Sequence, residues 1–263
     1  MKIGISTASL FMRLYNEDAV ALISEWGVQT SEVFLTSFCE YETKFAKTLA
    51  QKKGKLNVNS VHVLNTQFEP QLFSAHPRVR SDAYAWLDKV LTSACILGAE
   101  HYTFHGLARL KASFQENLPW AGKKLKEISD VCKKKEVSLC LENVEWALYN
   151  RAGIFQELKK YCPDLKGVLD IKQAKISGCE YEDYLCDMGE SLAYVHASDF
   201  DEMGKKCLPG KGIFDFDELF KRLHDSGFDG AIIIENYNDD YGELKELKDS
   251  YGYLLEKAEK IFR

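Results

Sequence analysis

Four short apolar runs in the second half of the chain each end on a side chain of a metal-binding type. They are Val137-Ser-Leu-Cys-Leu-Glu142, Leu165-Lys-Gly-Val-Leu-Asp170, Leu192-Ala-Tyr-Val-His196 and Ala231-Ile-Ile-Ile-Glu235. Three carboxylates and one imidazole make an oxygen-rich donor set, which suits one divalent ion of the Mn²⁺, Mg²⁺ or Co²⁺ kind better than a thiolate-seeking metal, with Zn²⁺ also open. Gathered without a cation, three carboxylates would push one another's pKa upward, so a metal is the natural compensation. Taken singly, each residue also reads as a helix cap, an ion-pair member or a hydrogen-bonded structural histidine. Four of them closing four successive strand-like runs is the pattern that points to a site.

Side chains so far apart in sequence meet only if the runs are parallel strands with a common direction. The rest of the chain supplies that arrangement. Lys2–Ser6, Thr30–Leu35, Val58–Leu64 and Glu100–His105 read as four earlier strands, with Glu32 inside the second and His62 and His105 at the third and fourth. Helices are expected between them, one capped by Asn16 and stopped by Gly27 and one over 43–53. A third is opened by Pro77 and ended by Gly98, with Val79, Ala83, Trp86, Leu87, Val90, Ala94 and Leu97 along one face. Further helices follow Ser113, span 154–161 and 181–188, start at Asp215 as N-cap, and run from 243 to 261. An insertion over 65–75 and a polar loop over 198–212 are long enough to carry function. Eight strand–helix alternations with a period of roughly thirty residues predict one α/β domain over residues 1–263, a (β/α)₈ TIM barrel whose strand ends share one mouth. A doubly wound open sheet competes, but Gly-x-Gly-x-x-Gly is missing from the first turn, and with it any sign of a dinucleotide site.

The 263 residues carry 46% hydrophobic side chains, sufficient for a large core, and a net charge of −6 that offers no broad attraction to nucleic acid or anionic membrane. No apolar stretch is long enough to cross a bilayer, and the start Met-Lys-Ile-Gly-Ile-Ser lacks a secretory leader, so a cytoplasmic location is expected. The eight cysteines form no Cys-x-x-Cys pair and are expected to be reduced, apolar packing residues.

Five motifs carry a family resemblance: Leu141-Glu-Asn143, Leu169-Asp-Ile-Lys-Gln-Ala174, Val195-His-Ala-Ser-Asp199, Leu208-Pro-Gly-Lys-Gly-Ile-Phe-Asp215 and Asp229-Gly-Ala-Ile-Ile-Ile-Glu235. The chain resembles the xylose-isomerase-like superfamily, and within it the sugar phosphate isomerase/epimerase branch. The resemblance implies that Glu142, Asp170, His196 and Glu235 hold one divalent ion, Mn²⁺ foremost, and that Glu142 and Glu235 transfer the proton. The implied reaction is isomerisation or epimerisation of a small sugar or sugar phosphate through a metal-stabilised enediolate. A metal-dependent dehydratase of an inosose-type keto-polyol shares the first proton abstraction and is the alternative. A sugar-binding protein with a vestigial site would bind metal without exchange. His62, His105, Trp146, Gln173 and Lys211 are the expected substrate contacts or supports, with Glu32 a further candidate. Lys172, Lys175, Lys205, Lys206 and Lys211 are mouth lysines that suit a phosphate or serve as solvated surface groups.

The chain also departs from that family. Gln173 stands where the family often has His, and a neutral amide is a poor ligand. Glu202 stands where some ketose epimerases have Arg. The loop Gly204-Lys-Lys-Cys-Leu-Pro-Gly-Lys-Gly212 lacks the Asp-x-His with which related apurinic-site endonucleases hold further zinc ions, which disfavours DNA cleavage. Barrels of this sort often form homo-oligomers, though no surface feature of the sequence requires it.

Overall fold

The computed structural model describes residues 1–64, 68–109 and 117–262; positions 65–67 of the expected insertion and Ser113 lie outside them. The barrel strands are β1 (Lys2–Ser6), β2 (Thr30–Leu35), β3 (Asn57–Val63), β4 (His101–Phe104), β5 (Ser138–Glu142), β6 (Lys166–Asp170), β7 (Leu192–Ala197) and β8 (Ala231–Ile234). Each pairs in parallel with its sequence neighbours, and β8 returns to β1 through Lys2↔Ala231 to Ile5↔Ile234, closing the sheet. Strands enclosed on both faces have no solvent side, which is why the Ile-rich β8 is buried throughout. The fold is a single (β/α)₈ TIM barrel, and among the described residues no helix is long and apolar enough to cross a membrane.

Outside the sheet lie α1 (Asn16–Glu25), α2 (Thr43–Lys52), α3 (Pro77–Leu97), α4 (Leu118–Lys133), α5 (Ile154–Lys159), α6 (Ile171–Ile176), α7 (Tyr181–Met188), α8 (Phe216–Asp225) and α9 (Leu244–Ile261). α3 shows how the sequence sets them. Pro77 occupies its first position, Ala83, Leu87, Val90, Leu91, Ala94 and Leu97 recur at helical spacing and are buried, and Gly98 ends it with φ of 74°. Val79 departs from the expected apolar face: it is 36% exposed, one turn before Ala83, the first buried residue of the helix. Asp215 caps α8 by accepting from the Glu218 N–H at 3.0 Å. Asn16 does not cap α1. It is the first helical residue, and its side chain turns inward to donate to the Phe34 carbonyl and the Glu40 carboxylate.

Inside the barrel Cys140, Val168, Tyr194, Ala231 and Ile233 pack into one apolar cluster contributed by β5 to β8. Four of these lie two residues before Glu142, Asp170, His196 and Glu235. Because strand side chains alternate with a period of two, the apolar cluster and the four polar side chains occupy successive layers of the same interior.

Candidate metal centre

Glu142 and Asp170 are the last residues of β5 and β6, His196 is next to last in β7, and Glu235 follows β8 directly. Asp170 is in register with His196, and His196 with Ile233, so the ends are level around that side of the mouth. All four side chains are buried, and one ligand atom from each lies within 4.8 Å of the others. His196 Nδ1 is central to them, 2.9 Å from Glu142 Oε1, 3.5 Å from Glu235 Oε2 and 3.9 Å from Asp170 Oδ2.

Each member is held from behind. Asp170 Oδ1 caps α6 by accepting from the Gln173 N–H at 2.8 Å, which leaves Oδ2 to face the mouth. The Asn143 amide clamps the Asp170 backbone at both ends, accepting from its N–H at 2.7 Å and donating to its carbonyl at 3.0 Å. Ser198 Oγ donates to the Glu235 carbonyl at 2.8 Å. His196 Nε2 lies 3.2 Å from Glu32 Oε2. That contact fixes the ring so that Nδ1 faces the three carboxylates.

Glu32 is fully buried below His196. Its oxygens accept from Ser6 Oγ at 3.1 Å, Ser60 Oγ at 2.8 Å and Thr103 Oγ1 at 2.5 Å, donors from β1, β3 and β4. Burial alone would raise its pKa, but the charge and hydrogen bond of His196, with the His62 charge and the Thr103 hydrogen bond, outweigh it and bring Glu32 down to about 2. Burial likewise disfavours the His196 imidazolium, and Glu235, Glu32 and Glu142 overcome it, holding the ring's pKa well above the ordinary histidine value. Asp170 moves the other way: burial, with Glu142 and Glu235 adding to it against Lys172, pushes its carboxyl up to about 7.

Lys172, expected at the rim, is instead inside. It is 2% exposed, and its ammonium pairs with both Asp170 Oδ2 and Glu235 Oε2. Burial works against the charged amine, but the two carboxylates more than compensate and keep its pKa well above the lysine norm.

His62 and His105 flank the cluster, their rings 4.5 Å apart. His62 Nδ1 lies 3.2 Å from the Thr103 carbonyl, and His105 Nε2 lies 3.1 Å from Glu142 Oε2. That last contact is off the hydrogen-bond line, and among the described residues no donor is aligned on Glu142 Oε2. With Glu142, the two histidines form a second group whose ligand atoms are within 4.8 Å of one another. Behind His105 stands Glu69, a buried acid the sequence did not single out. It accepts from Tyr102 Oη at 2.6 Å and from the His105 N–H at 3.2 Å. Burial opposes protonation of His105, but Glu142 and Glu69 raise its pKa to about 10. Trp146 sets its ring 5.2 Å from that of His105.

Gln173 accepts from the Glu145 N–H at 3.2 Å, so one end of its amide is already engaged. Lys211 is exposed, and its charge helps to lower the pKa of Glu246 at the start of α9. The loop after β7 is tied by Asp199. This buried carboxylate accepts four backbone N–H groups, those of Phe200 at 2.7 Å, Phe214 at 2.9 Å, and Gly210 and Gly212 at 3.0 Å each. Within the loop Asp199–Phe200 and Lys206–Cys207 pair as a small antiparallel hairpin.

No curated protein matches the chain in sequence. Among solved structures it is similar to a D-tagatose 3-epimerase-like protein, with TM-score 0.81 and 20% identity over 100% of this chain and 98% of that one. It is similar to D-psicose 3-epimerase from Clostridium cellulolyticum H10 in complex with D-tagatose, with TM-score 0.77 and 16% identity over 100% of both chains. A third similar structure is the IOLI protein with a bound zinc atom, with TM-score 0.80 and 16% identity over 100% of this chain and 99% of that one. These likenesses are of fold. The family model described as xylose isomerase-like TIM barrel matches residues 20–257, and the chain belongs to that family.

Proposed function

We propose that this protein is a divalent-metal-dependent isomerase or epimerase of a small sugar, with Glu142, Asp170, His196 and Glu235 as the ion's ligands and Glu142 and Glu235 as the proton-transferring pair. The observation that carries this is the meeting of those four buried side chains, from four consecutive strands, within 4.8 Å at the end of the barrel where such folds perform chemistry. The donors fit an ion: three carboxylates and one imidazole suit Mn²⁺, with Mg²⁺, Co²⁺ and Zn²⁺ as the other candidates, and Glu142 Oε2 is a buried acceptor with no aligned donor among the described residues. The names of the similar structures, two ketose 3-epimerases or epimerase-like proteins and one zinc-bound protein, support the same substrate class and the need for a metal.

A bound dication would polarise the sugar carbonyl and stabilise the enediolate that develops when the neighbouring carbon loses its proton. The protein's own groups do the rest. Glu142 and Glu235 approach from β5 and β8, with β6 and β7 between them, so the two carboxylates address a substrate from different sides. One removes the proton and the other returns it, which inverts the carbon; return to the adjacent carbon moves the carbonyl instead. His62, His105 and Gln173 are placed to bond hydroxyls, and Trp146 forms an apolar wall beside His105.

The test is incubation with a panel of ketoses in deuterium oxide with added Mn²⁺. Incorporation of deuterium beside the carbonyl, together with the epimer or isomer, is the expected result. Loss of water to an unsaturated ketone would assign the dehydratase reaction instead. Absence of exchange with every sugar, despite a bound ion, would refute the enzymatic reading.

A further inference from the structure

Lys172 follows the ligand-type Asp170 by two residues. Because β6 passes straight into α6, with Asp170 itself as cap, residue 172 falls in the first helical turn and its side chain folds back toward the barrel axis. Its ammonium pairs with Asp170 Oδ2 and Glu235 Oε2, the same two oxygens that lie 3.9 and 3.5 Å from His196 Nδ1. The amine therefore stands within the quartet. A dication drawing on those oxygens at roughly 2.0–2.2 Å competes with the ammonium for the same acceptor atoms, and the two like charges repel in a buried space. The Lys172 Nζ lies 5.7 Å from the centre of the Tyr237 ring, against which Lys206 also rests at 5.4 Å.

We propose that Lys172 is a tethered counter-cation that engages the Asp170 and Glu235 oxygens in the metal-free protein and must be displaced for the divalent ion to bind. The proposal rests on the assignment of the quartet as the metal centre. It distinguishes Lys172 from a permanent strut, whose loss would loosen both carboxylates and weaken the ion's hold. Displacement makes the opposite prediction, because a neutral residue removes a competitor that every incoming ion has to expel.

The experiment is calorimetric titration of Mn²⁺ into the chelator-stripped full chain, as wild type, Lys172→Met and Lys172→Gln. Tenfold or greater tightening in the variants is expected, together with a lower metal-free Tm and a larger rise in Tm on adding Mn²⁺, since the two carboxylates have lost their partner. Equal or weaker binding by both variants, with wild type still binding, would overturn the proposal and leave the metal centre standing. Failure of all three proteins to bind Mn²⁺ or Zn²⁺ would overturn both. A measurement on wild type alone guards against misfolded variants: acetylation of lysines by an N-hydroxysuccinimide ester, read by mass spectrometry, should reach Lys172 only when Mn²⁺ is saturating. Equal protection with and without the ion would refute displacement.

Discussion

The most discriminating perturbation of the site is Glu32→Gln, because Glu32 lies outside the ligand quartet and contacts it through His196. The carboxylate accepts from three hydroxyls and from His196 Nε2 at 3.2 Å. A Gln side chain keeps the shape and can leave its carbonyl oxygen where Oε2 now stands, so Ser60 and Thr103 keep their acceptor, while Ser6 Oγ, which now donates to Oε1, accepts from the amide N–H instead. What disappears is the negative charge that fixes the proton on Nε2 and makes Nδ1 a strong donor. Loss of such a supporting carboxylate typically weakens metal binding by about 10- to 100-fold, or roughly 1.4–2.7 kcal/mol. Calorimetric titration of Mn²⁺ into metal-free protein reads this directly, with circular dichroism and the metal-free Tm separating a binding defect from a folding one. Binding within about twofold of wild type in a folded Glu32→Gln protein would refute the view that Glu32 orients a ligand.

Glu142→Gln and Glu235→Gln should each reduce solvent-deuterium exchange into the active sugar by about 10²-fold or more, even when enough Mn²⁺ is added to restore occupancy; exchange at wild-type rate in either variant would remove it from the proton-transfer pair. In the metal-free protein Asp170 sits near 7, above its ordinary value of 3.8, so the native state holds the extra proton between those values and stability falls as pH rises through them. His105, raised to about 10, contributes stability that is present below the ordinary histidine range and is lost as pH rises toward 10. The metal-free Tm should therefore decline from about pH 5 to about pH 8, while the gain from Mn²⁺, which binds the ionised Asp170, should widen; thermal melts across pH with and without ion check both trends. Gly212→Ala would place a methyl 2.1 Å from the Phe200 carbonyl oxygen and 2.4 Å from Asp199 Oδ1, so a loss of about 2–3 kcal/mol in denaturant unfolding is expected.

The barrel was legible because parallel strands enclosed on both sides are written as apolar runs, and Thr30–Leu35 and Tyr181–Met188 have the bounds their patterns predict. The four strand-end residues were legible for the same reason: each terminates such a run. What escaped were residues whose role depends on partners distant in sequence. Glu32 is a candidate in the sequence, but its role as partner of His196 is not readable until barrel closure brings Ser6, Ser60, Thr103 and His196 around it. Glu69 lies in an irregular insertion with no periodicity to place it, and only the fold reveals Tyr102 and His105 as its partners. The six-residue α6 is too short to leave a periodic trace. Without it, Lys172 read as one more rim lysine.

Asp199 carries a consequence for how the mouth can vary. Four main-chain amides spread over residues 200 to 214 converge on one carboxylate, so the base of this segment is knotted and a deletion there would unfasten all of it. Beyond the knot, the tip at Met203 is 93% exposed, and the Asp201 carboxylate turns the chain around it by accepting the Met203 and Lys205 N–H groups, each at 2.9 Å. Residues can be added at that tip without pulling on β7. The loop after β7 is thereby free to lengthen while His196, anchored on the other side of the knot, stays where it is.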